Sequence, residues 1–229
     1  AHPPLSWFDF SVTELDGWHG FGWALRHALT LVHTPQVLVL PHDMEFERPI
    51  DVASLCAILQ DGSNGVEYIG FPNPKNLNYA ERVHAKSGIA LTPHVFPSAA
   101  SPRESVPLLP LFRWKENPHV ANVAQYKRVV FGPTAWPKVK RGQFLEETIG
   151  QRQNDLIITG GGTDGWREAH AAWGTFLYWP SASASVSVKP DAVSDDAMPV
   201  ADVAAPEPQP MAPSPACKLA PATFAVTHH

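Results

Sequence analysis

Segments of strand and helix period alternate along the chain. They predict an α/β domain with a mostly parallel sheet flanked by helices and a disordered Pro/Ala-rich C-terminal tail. Three observations carry this prediction. Trp18, Phe21, Leu25, Leu29 and Val32 recur at helical spacing. Val37–Leu40 is a continuous apolar run, as in strands buried on both faces. From Ser181 to His229 the composition shifts to Ala, Pro, Ser and Val with Phe224 as the only aromatic, too little apolar surface to offset the entropy of ordering. Residues 1–180 are therefore expected to form the core and 181–229 the tail.

The core's elements are expected in this order. Trp7–Val12 is a short strand candidate, and Asp16-Gly17 is the turn before the helix Trp18–Val32, which Thr34-Pro35 stops. After the Val37–Leu40 strand, Asp51 caps a helix through Leu59 with Val52, Leu55, Ile58 and Leu59 on one face. Asp61-Gly62 closes it, and Val66–Phe71 follows as a strand. Pro72–Pro107 is rich in Pro, Asn, Ser and His and predicts a long loop. Leu108–Trp114 predicts a strand, Val120–Val130 and Gly142–Gln153 helices, and Leu156–Thr159 and Gly174–Trp179 strands. Gly160–Gly165 lacks the Gly-Lys-Ser/Thr ending of a phosphate loop and is expected to be a mobile loop.

The composition narrows the function. The chain has 229 residues, 44% hydrophobic and 17% charged, which suits a soluble globular protein. A net charge of -5 supplies no basic footprint for nucleic acid. Lys and Arg are scattered apart from Lys138, Lys140 and Arg141. Cys56 and Cys217 make neither a disulfide framework nor zinc-ligand spacing. No apolar run approaches the ~20 residues that span a bilayer.

The chemistry gathers at two acidic segments. The apolar run Val37–Leu40 leads into Pro41-His-Asp-Met-Glu45. In an extended chain Asp43 and Glu45 share a face, where a hard cation such as Mg²⁺ or Mn²⁺ would offset their repulsion and still accept substrate phosphates. The alternative is that Asp43 belongs to a turn and Glu45 is solvated. His42 is a third ligand or a packed imidazole. Further on, Asn117-Pro118-His119 forms a turn, and Glu146 and Glu147 open a helical run bounded by Gly142 and Gly150. Such a pair supplies a general base, or simply the acidic first turn that the helix dipole favours.

In order, these segments resemble the donor-site half of inverting GT-A glycosyltransferases of the family 2 type, including a branch whose strand ends in His-Asp. The resemblance covers Gly17 to Trp179 and takes in the Gly20–Val32 helix, Thr34-Pro35 and the strand ending in Asp43-Met44-Glu45. It extends through Asn117-Pro118-His119 and the pair Glu146-Glu147 to the strand beginning Gly174-Thr175. It implies a core truncated on its N-terminal side, with Asp9 or Asp16 in place of a missing base contact. Asp43 and Glu45 would hold Mn²⁺ or Mg²⁺. Asp43, Asn117, His119 and Arg141 would contact the donor, with Asn117 and His119 facing the cleft. Glu147, in the place of an Asp, or Glu146 would be the base. Relatives carry a His or Arg after the closing strand, where this chain has Trp179 and the tail.

The activity implied is metal-dependent, inverting transfer of a sugar from a nucleotide-diphosphate donor to a glycan or other hydroxyl acceptor. It would take place in the cytoplasm, or in the Golgi lumen if the chain belongs to a longer precursor. The alternative is an inactive glycosyltransferase-like domain that binds carbohydrate, through Trp114, Trp166 and Trp173 as stacking surfaces, or a protein partner. A metal-dependent phosphoesterase would need more strand-end ligands than the chain offers.

Overall fold

The structure is a computed structural model that describes residues 12–46, 49–99, 103–133, 135 and 138–179. Most of the strand candidate Trp7–Val12, together with Asp9 and the 181–229 tail, lies outside them.

Six strands form one sheet: β1 (Gln36–Val39), β2 (Tyr68–Gly70), β3 (His94–Pro97), β4 (Ser105–Pro110), β5 (His119–Asn122) and β6 (Thr175–Tyr178), in the spatial order β1-β5-β2-β6-β4-β3. The helices are α1 (Phe21–Leu31), α2 (Val52–Gln60), α3 (Tyr79–Ser87), α4 (Val123–Val130), α5 (Gln151–Asp155) and α6 (Gly161–Ala171). Among the described residues none is long and apolar enough to cross a membrane.

The α/β class is as expected, but the sheet is mixed and mostly antiparallel. Among the described strands only β2 and β6 pair in parallel. The β1–β5, β2–β5, β3–β4 and β4–β6 pairs are antiparallel. Apolar strand runs report burial on two faces and carry no information about direction. The run Val37–Leu40 predicts a strand buried on both faces, yet β1 is the outermost described strand on its side, with Leu38 and Leu40 exposed.

Strand alternation sorts side chains onto two cores. Val39, Tyr68, Leu109, Ala121 and Leu177 face α1, α3, α4 and the helices after Leu145. Ile69, Val106, Leu108, Val120 and Phe176 face Leu55, Ile58 and Leu59 of α2. Asp51 caps α2 as expected, accepting the Ser54 N–H at 3.1 Å. The parallel pair depends on Gly174 at φ 61°, whose carbonyl accepts the Glu67 and Tyr68 N–H groups at 2.8 and 3.1 Å. A Cβ there would stand 2.4 Å from the Gly65 oxygen.

Several boundaries differ from expectation. Pro72–Pro107 contains α3, β3 and the start of β4. The Val120–Val130 segment begins as β5 and turns helical at Val123, and the strand expected at Leu108–Trp114 ends at Pro110. Leu156–Thr159 lies in a π-helical turn, Leu156–Gly160, despite its β-branched residues. Leu145, Ile149, Gln153 and Ile157 are all buried at four-residue spacing, so packing outweighs strand propensity there. Gly162, at φ 57°, kinks the run that leads into α6, and the expected mobile loop Gly160–Gly165 belongs largely to that helix.

Leu108 is fully buried on the α2 face, whereas Val95 is exposed. Leu108→Ala should cost about 2–5 kcal/mol in denaturant unfolding. Val95→Ala should stay within about 0.5 kcal/mol.

Candidate functional site

β1, β2 and β6 run the same way, so their carboxyl ends share one rim of the sheet with the start of β5. In open α/β sheets such a rim is where ligands bind. Val39 lies opposite His119 in register. The turn after β1 and the Asn117-Pro118 entry to β5 are therefore neighbours. The Phe71 N–H donates to the Pro118 carbonyl at 2.8 Å, which ties the end of β2 to the same corner.

Asp43 stands inside a turn. The Met44 N–H donates to the Pro41 carbonyl at 3.2 Å, β1 has ended at Val39, and both Asp43 and Glu45 are exposed. The shared face expected of an extended segment is therefore not supplied by the strand. Two exposed carboxylates suit Mg²⁺ or Mn²⁺ that takes its remaining oxygens from phosphate and water. They do not make a protein cage: among the described residues no group of three or more His, Cys, Asp or Glu side chains is arranged to hold a metal.

Between β4 and β5 the chain crosses the larger core as a strap, residues 111–118. At its start the Leu111 carbonyl accepts from Gln153 Nε2 at 3.0 Å and from Thr175 Oγ1 at 2.7 Å. Phe112 N–H donates to Tyr79 Oη at 2.8 Å, and Tyr68 Oη donates to the Lys115 carbonyl at 2.8 Å. Trp114 is fully buried, its ring centroid 4.6 Å from Tyr68 and 4.9 Å from Tyr126.

His119 was expected to face the cleft and is instead turned inward. Its ring is fully buried, stacked 4.6 Å from Tyr68 and 5.6 Å from Tyr126. Nδ1 lies 2.6 Å from the Asn117 carbonyl and so carries the proton. Burial holds the imidazole's pKa down to about 4 and keeps it neutral. The aromatic packing that secures the ring also removes it from any donor. Asn117 is half-buried.

Glu146 and Glu147 begin a π-helical turn, Glu146–Gly150, in which the Gly150 N–H reaches back to the Leu145 carbonyl at 2.9 Å. Turns of this kind recur at functional sites. The strap grips it closely. Arg113 Nε and Nη2 both donate to the Glu146 carbonyl at 3.3 Å, and Lys115 Nζ forms an ion pair with the Glu146 carboxylate. Glu116 accepts the Leu145 N–H through its carboxylate. Gly150 lies so close that a Cβ would sit 2.5 Å from the Trp114 oxygen. Glu147 is exposed.

Three carboxylates thus gather beside Asn117. Burial first, then the charges of Glu146 and Glu147, push the Glu116 carboxyl up to about 7. The sequence offered no pattern that marks Glu116, since its partner is a backbone N–H 29 residues away. Among the described residues no hydrogen bond or ion pair joins Asp43 or Glu45 to this cluster.

Arg141, expected at the diphosphate, is exposed and donates Nε–H to the Trp18 carbonyl at 2.9 Å. Lys138 is bonded to the Gly132 and Pro133 carbonyls at 2.8 and 2.6 Å. Asp16 pairs with His19 at 2.5 Å. Trp114 and Trp166 are buried in the core and cannot serve as stacking platforms. Among the described residues the exposed Trp and Phe rings are Trp18 (63%), Trp23 (38%) and Phe144 (50%). An open cleft of about 770 Å³ lies at the opposite rim, among His33, Glu67, Asn122 and Arg128, and does not serve the Asp43 corner.

Glu116 gives a pH dependence of definite sign. Its folded pKa of about 7 stands above the ordinary 4.5, so the folded protein holds a proton that the unfolded chain has released across that window. Stability from this group is therefore present below the window and lost as pH rises through it. The buried His119 and His170, both held at about 4, act in the opposite sense as pH falls below 6.5. They are common to both proteins when Glu116→Gln is compared with wild type. Glu116→Gln should gain in melting temperature relative to wild type between about pH 5 and about pH 8, as thermal melts at the two values would measure.

No protein-family model, no curated protein and no solved structure matches this chain.

Proposed function

We propose that this domain transfers a sugar, with inversion, from a nucleotide-diphosphate donor to a hydroxyl acceptor in a metal-dependent reaction. One observation carries the reading. The strap that enters β5 beside the Asp43 turn also holds Leu145 and Glu146, at the start of the turn that carries Glu147, so an acidic strand end and a carboxylate pair adjoin one connection. The order of motifs along the chain, from His42-Asp43 through Asn117-Pro118-His119 to Glu146-Glu147, supports it as well.

In this reading Asp43 and Glu45 would hold Mn²⁺ or Mg²⁺, which when bound neutralises charge on the departing diphosphate. Glu147, the exposed member of its pair, accepts the acceptor hydroxyl's proton. The acceptor oxygen bonds to the anomeric carbon while the bond from that carbon to the diphosphate oxygen breaks. A placed base of this kind contributes about 10²–10⁴ in rate. Glu146 is held by Lys115 and Arg113 and serves as a fixed anion that orients the turn.

A second reading, a non-catalytic domain that binds carbohydrate, is favoured by the exposed rings of Trp18, Trp23 and Phe144.

The two readings part in one experiment. Thermal shift is measured with Mn²⁺ and a panel of UDP- and GDP-sugars, on wild type and Asp43→Ala. At about 100 times Kd a donor adds about 2.7 kcal/mol of stability, a shift of several degrees, which Asp43→Ala should abolish. An unchanged melting temperature across the panel, with glycan binding that Trp18→Ala removes, would favour the second reading.

A further inference from the structure

We propose that Glu116 is a positioning residue for the Glu146–Glu147 pair. By taking the Leu145 N–H, its carboxylate fixes where the helical run carrying both begins. The inference rests on the transferase reading for its consequence in turnover, and on geometry alone for the positioning itself.

A helix start leaves backbone N–H groups without intrahelical partners, and their direction is set by whatever accepts them. At Leu145 the acceptor is the Glu116 carboxylate, reached from a strap otherwise anchored by buried rings. One residue further on, Arg113 holds the Glu146 carbonyl and Lys115 the Glu146 carboxylate. Four residues beyond that, Gly150 abuts the Trp114 oxygen. Holding both Leu145 and Gly150 against one strap accompanies the widened i→i−5 turn, and Glu147 is displayed from the middle of it. Glu116 is the member of this set whose grip changes with protonation. Ionised, it attracts the N–H and the positive end of the helix dipole; neutral, it accepts more weakly.

The charged and titratable groups around Glu116 come from each element packed against it. Arg113 and Lys115 share its strap, Glu146 and Glu147 lie on the facing turn, and Tyr68 of β2 and Tyr126 of α4 lie beneath. Burial raises both tyrosines well above their ordinary range, so they stay protonated while Glu116 titrates. Glu116 is thus the group whose ionisation, near neutrality, sets the direction of the pair.

The test follows backbone amides of the full chain by ¹H–¹⁵N NMR from about pH 5 to about pH 9. The Leu145 amide proton should move downfield as pH rises, with a midpoint near pH 7, and the Glu146 and Glu147 amides should follow it. Glu116→Gln keeps the shape and an acceptor oxygen, so it should fold normally and flatten all three curves. A Leu145 midpoint in the ordinary carboxyl range, or one that persists in Glu116→Gln, overturns the proposal.

With any donor and acceptor that turn over, Glu116→Ala should lower kcat by about 10²-fold with donor KM little changed, the scale of a small misplacement of a catalytic group. Glu116→Gln should recover most of that loss and no longer show the wild type's pH limb near 7. An equal loss in both variants would mean a merely structural role. If no donor is turned over, the transferase reading fails while the amide titration still decides the positioning.

Discussion

Residues 111–118 cross a buried sheet face with backbone polar groups met at both ends of the strap and at points between. An unpaired buried carbonyl or N–H costs about as much as a lost hydrogen bond. Here Thr175 and Gln153 meet Leu111, Tyr79 meets Phe112, Tyr68 meets Lys115 and Phe71 meets Pro118. Four of those partners act through side chains, and three of the four, Gln153, Tyr68 and Tyr79, are long, apolar along their stems or rings and polar at the tip. The strap carries the chain from one rim of the sheet to the other, so β5 enters antiparallel between β1 and β2.

The same strap organises the electrostatics. Its buried rings hold it still, and its polar side chains, Arg113, Lys115 and Glu116, reach the start of the helical run at Leu145. A carboxylate placed there meets opposing influences. The N–H it accepts favours its charge, whereas burial and two neighbouring carboxylates oppose it, and the second set prevails. Glu146 is pinned and Glu147 is left exposed. That asymmetry separates a structural anion from a group able to exchange a proton with something outside.

The Asp43 side of the rim is built differently. Among the described residues Asp43 is placed by a turn, at the end of the outermost described strand, in which the Met44 N–H donates to the Pro41 carbonyl. In the proposed transferase reading, a cation held by two surface carboxylates would draw its remaining ligands from substrate and water, and affinity there would belong to the pair of metal and diphosphate more than to the protein. In the proposed reading, a carboxylate cluster held by the strap and a lightly built acidic turn would serve a reaction in which one substrate arrives with the ion and the other meets a preset base.

Much of this was legible in the residues. Periodicity marked α1 and α2, Asp51 announced its cap, the apolar runs marked β1 and β2, and Gly174 preceded the closing strand, because each of these signals is local. The acidic positions 43, 45, 146 and 147 were visible for the same reason. Strand direction was not, since an apolar strand is alike in either sense and only the route of the connection decides it. The helical state of residues 156–159 was hidden by β-branched propensity that packing overrode. Whether His119 faced ligand or core turned on Tyr68 and Tyr126, distant in sequence. Glu116 gained its role from a backbone N–H on another element. Short-range patterns determine which elements form and which residues carry charge; the tertiary structure alone decided which charges meet, because burial and proximity arise only once remote segments pack.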